Sequence, residues 1–349
     1  MKISPMRLGI VLLLLLSLVT AGLLGAAKGY LDAPVTLVAS DLDENGRLHW
    51  TIEKGSNLHQ VSRRLENQQI ITQPRLLTGF ARLSGRSAIQ AGSYWINPDD
   101  NPRSLLNKFN SGDVIRYQIT FPEGWSFAQW IVHLASKPQF ATAADTSVTE
   151  LLASAEIDLE HPEGWFFPDT YSYSGSDSLS DILVQAHRRM QQVLAEEWQG
   201  REMNLPYRSP YDALIMASII EKETGLAEER RAIAGVFVRR LSANMRLQTD
   251  PTVIYGMGDR YQGNIRRRDL KQLTAYNTYR IKGLPPTPIA MPSAAAIHAA
   301  LHPEPGSSLY FVARGDGGHY FSDSLEEHLE AVRQYQIKDR VKNYQSAPQ

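Results

Sequence analysis

The chain has 349 residues, of which 43% are hydrophobic and 21% are charged, and its formal net charge is -1. These values are ordinary for a globular protein with one large domain or two smaller ones. The basic residues are scattered apart from the run 266–268, which is typical of a solvated face, so the sequence predicts no nucleic-acid partner. The absence of cysteine excludes disulfides, thiolate metal ligands and a lipid-modified cysteine anchor.

The N-terminal segment predicts a membrane anchor. Lys2 and Arg7 precede or border an apolar stretch at 8–27, which is long enough to cross a bilayer as a helix. A cleaved signal peptide is the alternative, but its apolar core is usually shorter, and 25–28 offers only a weak cleavage site. The positive charges predict a cytoplasmic segment 1–7 and a remaining chain outside. In a bacterium with two membranes, this predicts a single-pass inner-membrane protein with its C-terminal part in the periplasm.

A small module is predicted after a polar connector at 28–48. Residues 49–53 alternate like a strand, and apolar residues at helical spacing follow Leu58 and Pro74. Residues 92–96 are predicted to form a returning strand. The order strand, helix, helix, strand over 49–97 resembles the glycan-binding LysM module. An accessory packing layer without a ligand is the alternative, since resemblance of fold alone does not establish a site.

A buried helix is predicted to carry an ionisable carboxylate, Glu221, in its last turn. Ser209 and Pro210 suit the N-cap and the first helical position, and Gly225 suits the C-terminal cap, which predicts a helix of about four turns. Helical spacing puts Glu221 on the same face as the apolar Leu214, with Glu223 roughly opposite. Glu221 is therefore expected to point towards a pocket or the core.

The expected position of Glu221 suits a general acid. Burial and the negative end of the helix dipole both favour the protonated carboxyl group, and a raised carboxyl pKa fits that role. The alternative is a structural carboxylate that pairs with a buried Arg or is solvated at the helix end.

Other segments suggest binding surfaces. Pro-Glu-Gly-Trp occurs at 122–125 and again at 162–165, which predicts two related turns, and the aromatic cluster after the second copy favours packing. A second amphipathic helix is predicted over 228–241. The segments 247–256, 276–279 and 283–289 are interpreted as loops whose amide, hydroxyl and aromatic groups suit a carbohydrate.

These motifs together resemble the YceG-like family over about residues 45–340. One departure is 290–293, where many members carry Asn and Gly around the Pro. The matching segments, in chain order, are 163–171, 217–225, 248–252, 276–279, 283–286, 309–313 and 318–322. The resemblance implies an α+β fold: an N-terminal transmembrane helix, the LysM-like module and a larger mixed catalytic domain at 98–342. The C-terminal helix is expected over 324–341 and a frayed tail over 343–349.

The resemblance also implies an activity: endolytic transglycosylation of peptidoglycan, which cleaves the bond between N-acetylmuramic acid and N-acetylglucosamine and leaves a 1,6-anhydro end. By family position, Glu221 protonates the glycosidic oxygen and then takes the proton of the sugar's own 6-hydroxyl. No cofactor or metal is implied. His319 and His328 lack a spaced set of metal-ligand partners, so each is expected to have a structural role with its hydrogen bonds satisfied. The residues expected to line the site are Gln248, Asp250, Asn277, Tyr279 and Glu163.

The expected partners are peptidoglycan glycan strands, the inner membrane and, by family resemblance, the penicillin-binding synthases. One alternative is a hydrolase in which Asp250 or Glu163 helps Glu221 to activate water, because ordinary glycosidases use two carboxyl groups. Another is a membrane-tethered, glycan-binding scaffold without activity. A reducing-end product would indicate the hydrolase, and an unchanged cellular effect of Glu221→Gln would indicate the scaffold.

Overall fold

A computed structural model describes residues 5–338, with side chains over 10–337. The chain divides into two compact units, one of residues up to Gln118 with Ser172–Asp177, the other of Ile119–Tyr171 with the chain from Ser178 onward. Both contain helices, and the described residues form three two-stranded sheets. The predicted α+β fold is therefore confirmed.

The first unit begins with a long helix, α1 (Pro5–Asp32), which contains the predicted anchor. Its segment Ile10–Asp32 is apolar and long enough to span a membrane. Arg103 pairs with Asp32 at the end of α1, with Nε and Oδ1 2.8 Å apart. The connector predicted at 28–48 thus begins within this helix, and the cytoplasmic segment 1–7 lies partly outside the described residues.

The remainder of the first unit contains the predicted strand, helix, helix, strand order. Its elements are β1 (Leu48–Ile52), α2 (Leu58–Asn67), α3 (Pro74–Leu83), β2 (Gly92–Ile96) and α4 (Pro102–Ser111), with a 3-10 turn at Ala39–Asp41. Strands β1 and β2 are antiparallel, with Trp50 opposite Tyr94. Both side chains are buried and contact the ring of Phe109 in α4, at centroid distances of 5.5 and 4.9 Å. The element order fits a LysM-like module, whose glycan binding stays a prediction.

Strands β3 (Arg116–Thr120) and β4 (Thr170–Ser174) form a second sheet, and each has residues in both units. The other elements of the second unit are mostly helical: α5 (Phe127–Ala135), α6 (Val148–Ser154), α7 (Leu179–Gly200), α8 (Pro210–Glu223), α9 (Arg230–Ser242), α10 (Asp250–Met257), α11 (Arg267–Lys271), α12 (Ala294–Leu301), β5 (Tyr310–Ala313), β6 (His319–Ser322) and α13 (Leu325–Val332). Short 3-10 segments lie at Pro138–Ala144, Ala227–Glu229 and Gly258–Arg260, and a π-helical turn at Arg333–Lys338 follows α13.

Helix α8 is the centre of the second unit. Its residues from Ala213 to Ile220 are almost fully buried, and they pack against α7, α9, α10 and α12. The predicted start is confirmed, because Ser209 is the N-cap and Pro210 the first helical residue. The aromatic cluster after the second Pro-Glu-Gly-Trp is buried too, with Phe166 fully inaccessible, so its packing role is confirmed.

Two predicted boundaries need correction. The segment 247–256 was expected to be a loop, but α10 begins at Asp250, because Pro251 suits the first turn and an acidic residue favours a helix N-terminus. The predicted C-terminal helix over 324–341 ends as an α-helix at Val332 and continues as a π-helical turn to Lys338. Residues 339–341 and the predicted tail 343–349 lie outside the described residues.

Candidate active site

Glu221 lies in the last turn of α8 and points inward, as predicted. Its side chain is 7% exposed. Its Oε2 accepts two hydrogen bonds from Ser293, one from the backbone N–H at 2.9 Å and one from the hydroxyl at 2.5 Å. A guanidinium nitrogen of Arg230 lies 4.0 Å from Oε1. These contacts hold the carboxyl group of Glu221 in one orientation.

Ser293 is placed by the turn that departs from the family pattern. It is the N-cap of α12, and its hydroxyl also accepts a hydrogen bond from the Ala296 N–H at 3.1 Å. Met291, two residues earlier, exchanges backbone hydrogen bonds with Gly124 and Trp125 at 2.9 and 2.8 Å. The first Pro-Glu-Gly-Trp turn thus holds in place the turn that carries Ser293, the hydrogen-bond partner of Glu221.

A second carboxyl group, that of Glu123, lies in the same neighbourhood. Partial burial raises the pKa of Glu123, and the negative charge of Glu221 raises it further, whereas Arg230 lowers it. A Cβ on the adjacent Gly124 would lie 3.6 Å from Cγ of Glu221, which shows how closely this turn approaches the acid. The sequence pattern of this segment predicts only a turn, so Glu123 was not predicted as a site residue.

Glu163 lies in the second Pro-Glu-Gly-Trp turn and is buried, at 6% exposure. Its carboxyl oxygens accept hydrogen bonds from the Phe127 N–H at 3.0 Å and the Tyr255 hydroxyl at 3.1 Å. Burial raises the pKa of Glu163 to about 7, although both hydrogen bonds and the charge of Lys222 lower it. This buried carboxyl group connects α5, the turn and α10.

The two Pro-Glu-Gly-Trp turns share a backbone requirement. Gly124 and Gly164 have φ of 72° and 82°, the left-handed region that favours glycine. A Cβ on Gly164 would also come within 2.5 Å of the Pro288 side chain. The prediction of two related turns is therefore confirmed.

Three of the predicted site residues line one large cavity of about 1030 Å³ in the second unit. They are Gln248, Asp250 and Tyr279. The Tyr279 hydroxyl donates to Oδ1 of Asp250 at 2.7 Å. An Arg240 nitrogen donates to Oε1 of Gln248 at 3.4 Å. The cavity thus combines an aromatic ring with amide, carboxylate and guanidinium groups.

Glu223 also lines this cavity, on the other side of α8 from Glu221. The Thr249 hydroxyl donates to Oε1 of Glu223. Burial of its carboxyl group raises the pKa of Glu223 to about 7. The negative charge of Asp250 also raises this pKa, whereas the Thr249 hydrogen bond and the positive charge of Arg240 lower it. Between the two acidic residues, Lys222 lines the cavity too, and its ammonium group donates to the Gly124 carbonyl at 3.1 Å.

Asn277 is placed differently from the prediction. It is 1% exposed, and its side-chain oxygen accepts a hydrogen bond from the Tyr279 N–H at 3.0 Å. Its amide nitrogen donates to backbone carbonyls at distances of 2.6 to 3.2 Å, those of Asp269, Leu270 and Gln272. Asn277 therefore does not face the cavity with a free polar group; it holds the loop that carries Tyr279.

The two histidines considered in the sequence analysis also lie at this cavity. His319 is buried and pairs with Glu229, its ring Nδ1 2.7 Å from Oε2. His328 stacks on Tyr310, and among the described residues its Nδ1 has no hydrogen-bond partner. Burial lowers the pKa of His328, and the charge of Arg240 lowers it further. The prediction that each histidine has a structural role with its hydrogen bonds satisfied is therefore confirmed for His319 but wrong for Nδ1 of His328.

The structure thus separates the predicted residues into two groups. Glu221 lies with Ser293, Arg230 and Glu123, while Gln248, Asp250 and Tyr279 lie along the cavity with Glu223. Glu163 and Asn277 are buried supports. The YceG-like family model matches residues 50–334.

The chain belongs to the YceG-like family. A relative from Bacillus subtilis named endolytic murein transglycosylase is 30% identical over 311 residues, which cover 84% of this chain and 86% of that protein. A Streptococcus pneumoniae protein of the same name is 26% identical over 84% of this chain and 60% of its own length. A crystal structure of a yceG-like protein from Listeria monocytogenes is 30% identical, with a TM-score of 0.54, and covers 82% of this chain and 99% of that one.

Proposed function

We propose that this protein is a membrane-anchored endolytic transglycosylase that cleaves peptidoglycan glycan strands and leaves 1,6-anhydro ends. The observation that carries the proposal is the buried carboxyl group of Glu221, held by two hydrogen bonds from Ser293 in a chain of the YceG-like family. The enzyme class agrees with relatives named endolytic murein transglycosylases.

In the first step, Glu221 gives its proton to the glycosidic oxygen between the two sugars, and the bond from that oxygen to the anomeric carbon breaks. Oε2 is occupied by Ser293, so Oε1 is the atom that holds the proton. The resulting carboxylate is stabilised by the two Ser293 donors and by Arg230. The products of this step are a free hydroxyl on one sugar and a positively charged anomeric centre on the other.

In the second step, the 6-hydroxyl of the same muramic acid residue attacks the anomeric carbon and loses its proton to the Glu221 carboxylate. The enzyme is then back in its starting protonation state, and no water is consumed. A single carboxyl group therefore serves as acid and then as base. Ordinary glycosidases need a second carboxyl group to activate water or to act as nucleophile.

The cavity beside α8 is proposed to bind the glycan strand. Its volume of about 1030 Å³ lies at the upper end of small-molecule pockets. The ring of Tyr279 can stack on a sugar face, while Gln248 and Asp250 can hydrogen-bond to hydroxyl groups. Lys222 connects this cavity to the turn beside Glu221. Asn277 supports the cavity by ordering its loop.

The N-terminal helix is proposed to anchor the enzyme in the inner membrane, with the catalytic unit in the periplasm. The apolar segment Ile10–Asp32 supports the anchor, and the positive residues at its N-terminal side support the orientation. Near the membrane face, the enzyme would meet newly made strands and the penicillin-binding synthases that polymerise them. Cleavage there would end strand elongation.

A hydrolase is the second candidate, because Glu123 lies close enough to Glu221 for their charges to interact. In that mechanism Glu123 activates water, whereas Asp250 and Glu163, which the sequence analysis suggested for this role, contact other groups. The two mechanisms differ in the new sugar end, which is anhydro for the transglycosylase and reducing for the hydrolase.

The test is mass spectrometry of fragments from uncrosslinked glycan strands incubated with the full chain in detergent. Anhydro-ended fragments of many intermediate lengths are expected from internal cleavage. Reducing ends would replace the proposal with the hydrolase. Intact strands in the presence of folded, strand-binding protein would contradict both enzymes and favour the scaffold.

Ser293→Ala is expected to lower kcat about tenfold with little change in KM, because Glu221 loses a hydroxyl donor but keeps the backbone one. A hydrogen bond to a charged group contributes about 1.5–3 kcal/mol, and about 1.4 kcal/mol corresponds to a factor of ten in rate. The variant also loses the N-cap of α12, which costs about 1 kcal/mol of stability.

Ser293→Thr is the matched control, since it keeps the hydroxyl group, and its kcat should stay near the wild-type value. Strand cleavage measured over a range of substrate concentrations separates kcat from KM. Equal kcat values for the Ala variant and the wild type would show that the Ser293 hydroxyl does not position Glu221.

A further inference from the structure

A cluster of three potential metal ligands lies in the second unit, in contacts separate from those of Glu221 and from the cavity. His298 lies on α12, His302 is the C-cap of that helix one turn later, and Glu197 lies near the end of α7. Nδ1 of His298 is 2.9 Å from Oε2 of Glu197, and Nδ1 of His302 is 3.8 Å from the same oxygen. One donor atom from each residue lies within 4.8 Å of the other two.

The hydrogen bonds of His302 define its tautomer. Its Nε2 is 2.9 Å from the Gly200 carbonyl, which can only accept, so Nε2 carries a proton. In the neutral ring, Nδ1 is then an unprotonated lone pair. That lone pair faces two further acceptors, Oε2 of Glu197 and the His298 carbonyl at 3.2 Å. The Nδ1 lone pair, the Glu197 carboxylate and the His298 carbonyl would all stabilise a cation placed between them.

The surrounding backbone also favours a positive charge at this cluster. Gly200 is the last residue of α7, and His302 is the C-cap of α12, so two helix C-termini meet at the cluster. The negative end of each helix dipole stabilises a nearby cation. The Gly200 carbonyl is also one of the α7 carbonyls that lack a partner within the helix, and its bond to His302 orients the ring as second-shell bonds do at metal sites.

We propose that Glu197, His298 and His302 form a Zn²⁺ site that links the C-terminal ends of α7 and α12. Two imidazoles and a carboxylate are a common set of zinc ligands, with a fourth position for water. In a tetrahedral site with bonds of about 2.1 Å, ligand atoms lie about 3.4 Å apart. The donor atoms here lie within 4.8 Å of one another, so no pair must approach by more than about 1.4 Å. The His298 side chain, which is 49% exposed, has the freedom to rotate into place.

Zinc binding requires one proton to move. His298 donates from Nδ1 to Glu197 in the absence of metal, and this proton shifts to Nε2 by exchange with solvent when the ion binds. The site is separate from the proposed reaction, which needs no metal. Its expected effect is on stability, because an ion that binds only the folded state raises the unfolding temperature.

The test is isothermal titration of ZnCl₂ into the tag-free, full-length chain in detergent, after removal of metal with a chelator. One ion per chain is expected for the wild type. His298→Ala should weaken zinc binding at least about tenfold, since even the loss of a group that only hydrogen-bonds to a metal ligand lowers metal affinity by that factor. His298 is a safer variant than His302, whose ring also bonds to the Gly200 carbonyl.

His161→Ala is the matched control, because His161 also lies beside a carboxylate, with its Nε2 3.8 Å from Glu160, but belongs to no three-ligand group among the described residues. This variant should bind zinc like the wild type. Zinc should raise the unfolding temperature of the wild type and of His161→Ala, but not that of His298→Ala. The proposal is overturned if the wild type takes up no zinc, or if His298→Ala and Glu197→Gln bind it as tightly as the wild type.

Discussion

Glu221→Gln is expected to lower the rate of strand cleavage by about 10²–10⁴-fold, the usual contribution of a general acid or base. The amide has nearly the same shape as the acid, and its oxygen can still accept the two hydrogen bonds from Ser293. It cannot give a proton to the glycosidic oxygen or take one from the 6-hydroxyl. Both steps therefore lose their proton carrier, while the folded structure is retained.

The measurement is the initial rate of fragment formation, together with strand binding and the unfolding temperature. Glu228→Gln is the control, because Glu228 is an exposed carboxylate in the segment between α8 and α9. That variant should cleave like the wild type. A Glu221→Gln protein that folds, binds strands and cleaves them within tenfold of the wild-type rate would remove Glu221 from the mechanism.

The free energy of unfolding is expected to fall as pH rises from about 4.5 to above 7, in part because of Glu163. Burial raises the pKa of this carboxyl group from 4.5 to about 7, so the folded protein keeps a proton that the unfolded chain has already lost. The stabilisation is fully present below pH 4.5 and is lost as pH passes 7. A shift of this size corresponds to about 3 kcal/mol.

Glu163→Gln isolates this contribution, since its side chain stays neutral at every pH and can still bond to Phe127 and Tyr255. Chemical denaturation at pH values between 4.5 and 8 should show a smaller loss of stability in the variant than in the wild type, by about 3 kcal/mol. Parallel stability curves for the two proteins would contradict a raised pKa for Glu163.

Helix boundaries were predictable where the deciding residues are local. Ser209 and Pro210 define the start of α8 within two positions, and the apolar run after them defines its buried faces. The inward orientation of Glu221 follows from helical spacing alone. The loop expected around Asp250 was wrong, because polar side chains suggested a loop while Pro251 at the first turn favoured a helix.

The partners of the candidate acid could not be found in the same way. Ser293 lies 72 positions after Glu221 and reaches it only because α12 packs on α8. A serine before an alanine-rich run predicts an N-cap, but nothing local says which carboxylate it meets. Asn277 shows that a residue type suited to binding can instead have a structural role. A loop amide suits sugar binding, yet its hydrogen bonds to backbone carbonyls become visible only in the folded chain.

The pair His298 and His302 was also open to sequence reasoning, because a four-residue spacing places two imidazoles on one helix face. Glu197, about a hundred positions earlier, could not be assigned to this cluster from the sequence.

The sequence correctly predicts that Glu221 and Glu223 lie on different faces of α8, but it does not predict what each of them contacts. Glu223 faces the cavity with the predicted sugar-binding residues, whereas Glu221 faces Ser293.

The most direct test of the proposed mechanism is strand cleavage in water enriched in heavy oxygen, followed by mass spectrometry of the new sugar ends. If the 6-hydroxyl closes on the anomeric carbon with Glu221 as its base, the new ends are anhydro and carry no heavy oxygen. If Glu123 or another group activates water instead, each new reducing end carries one heavy oxygen atom, and the proposed intramolecular closure is contradicted.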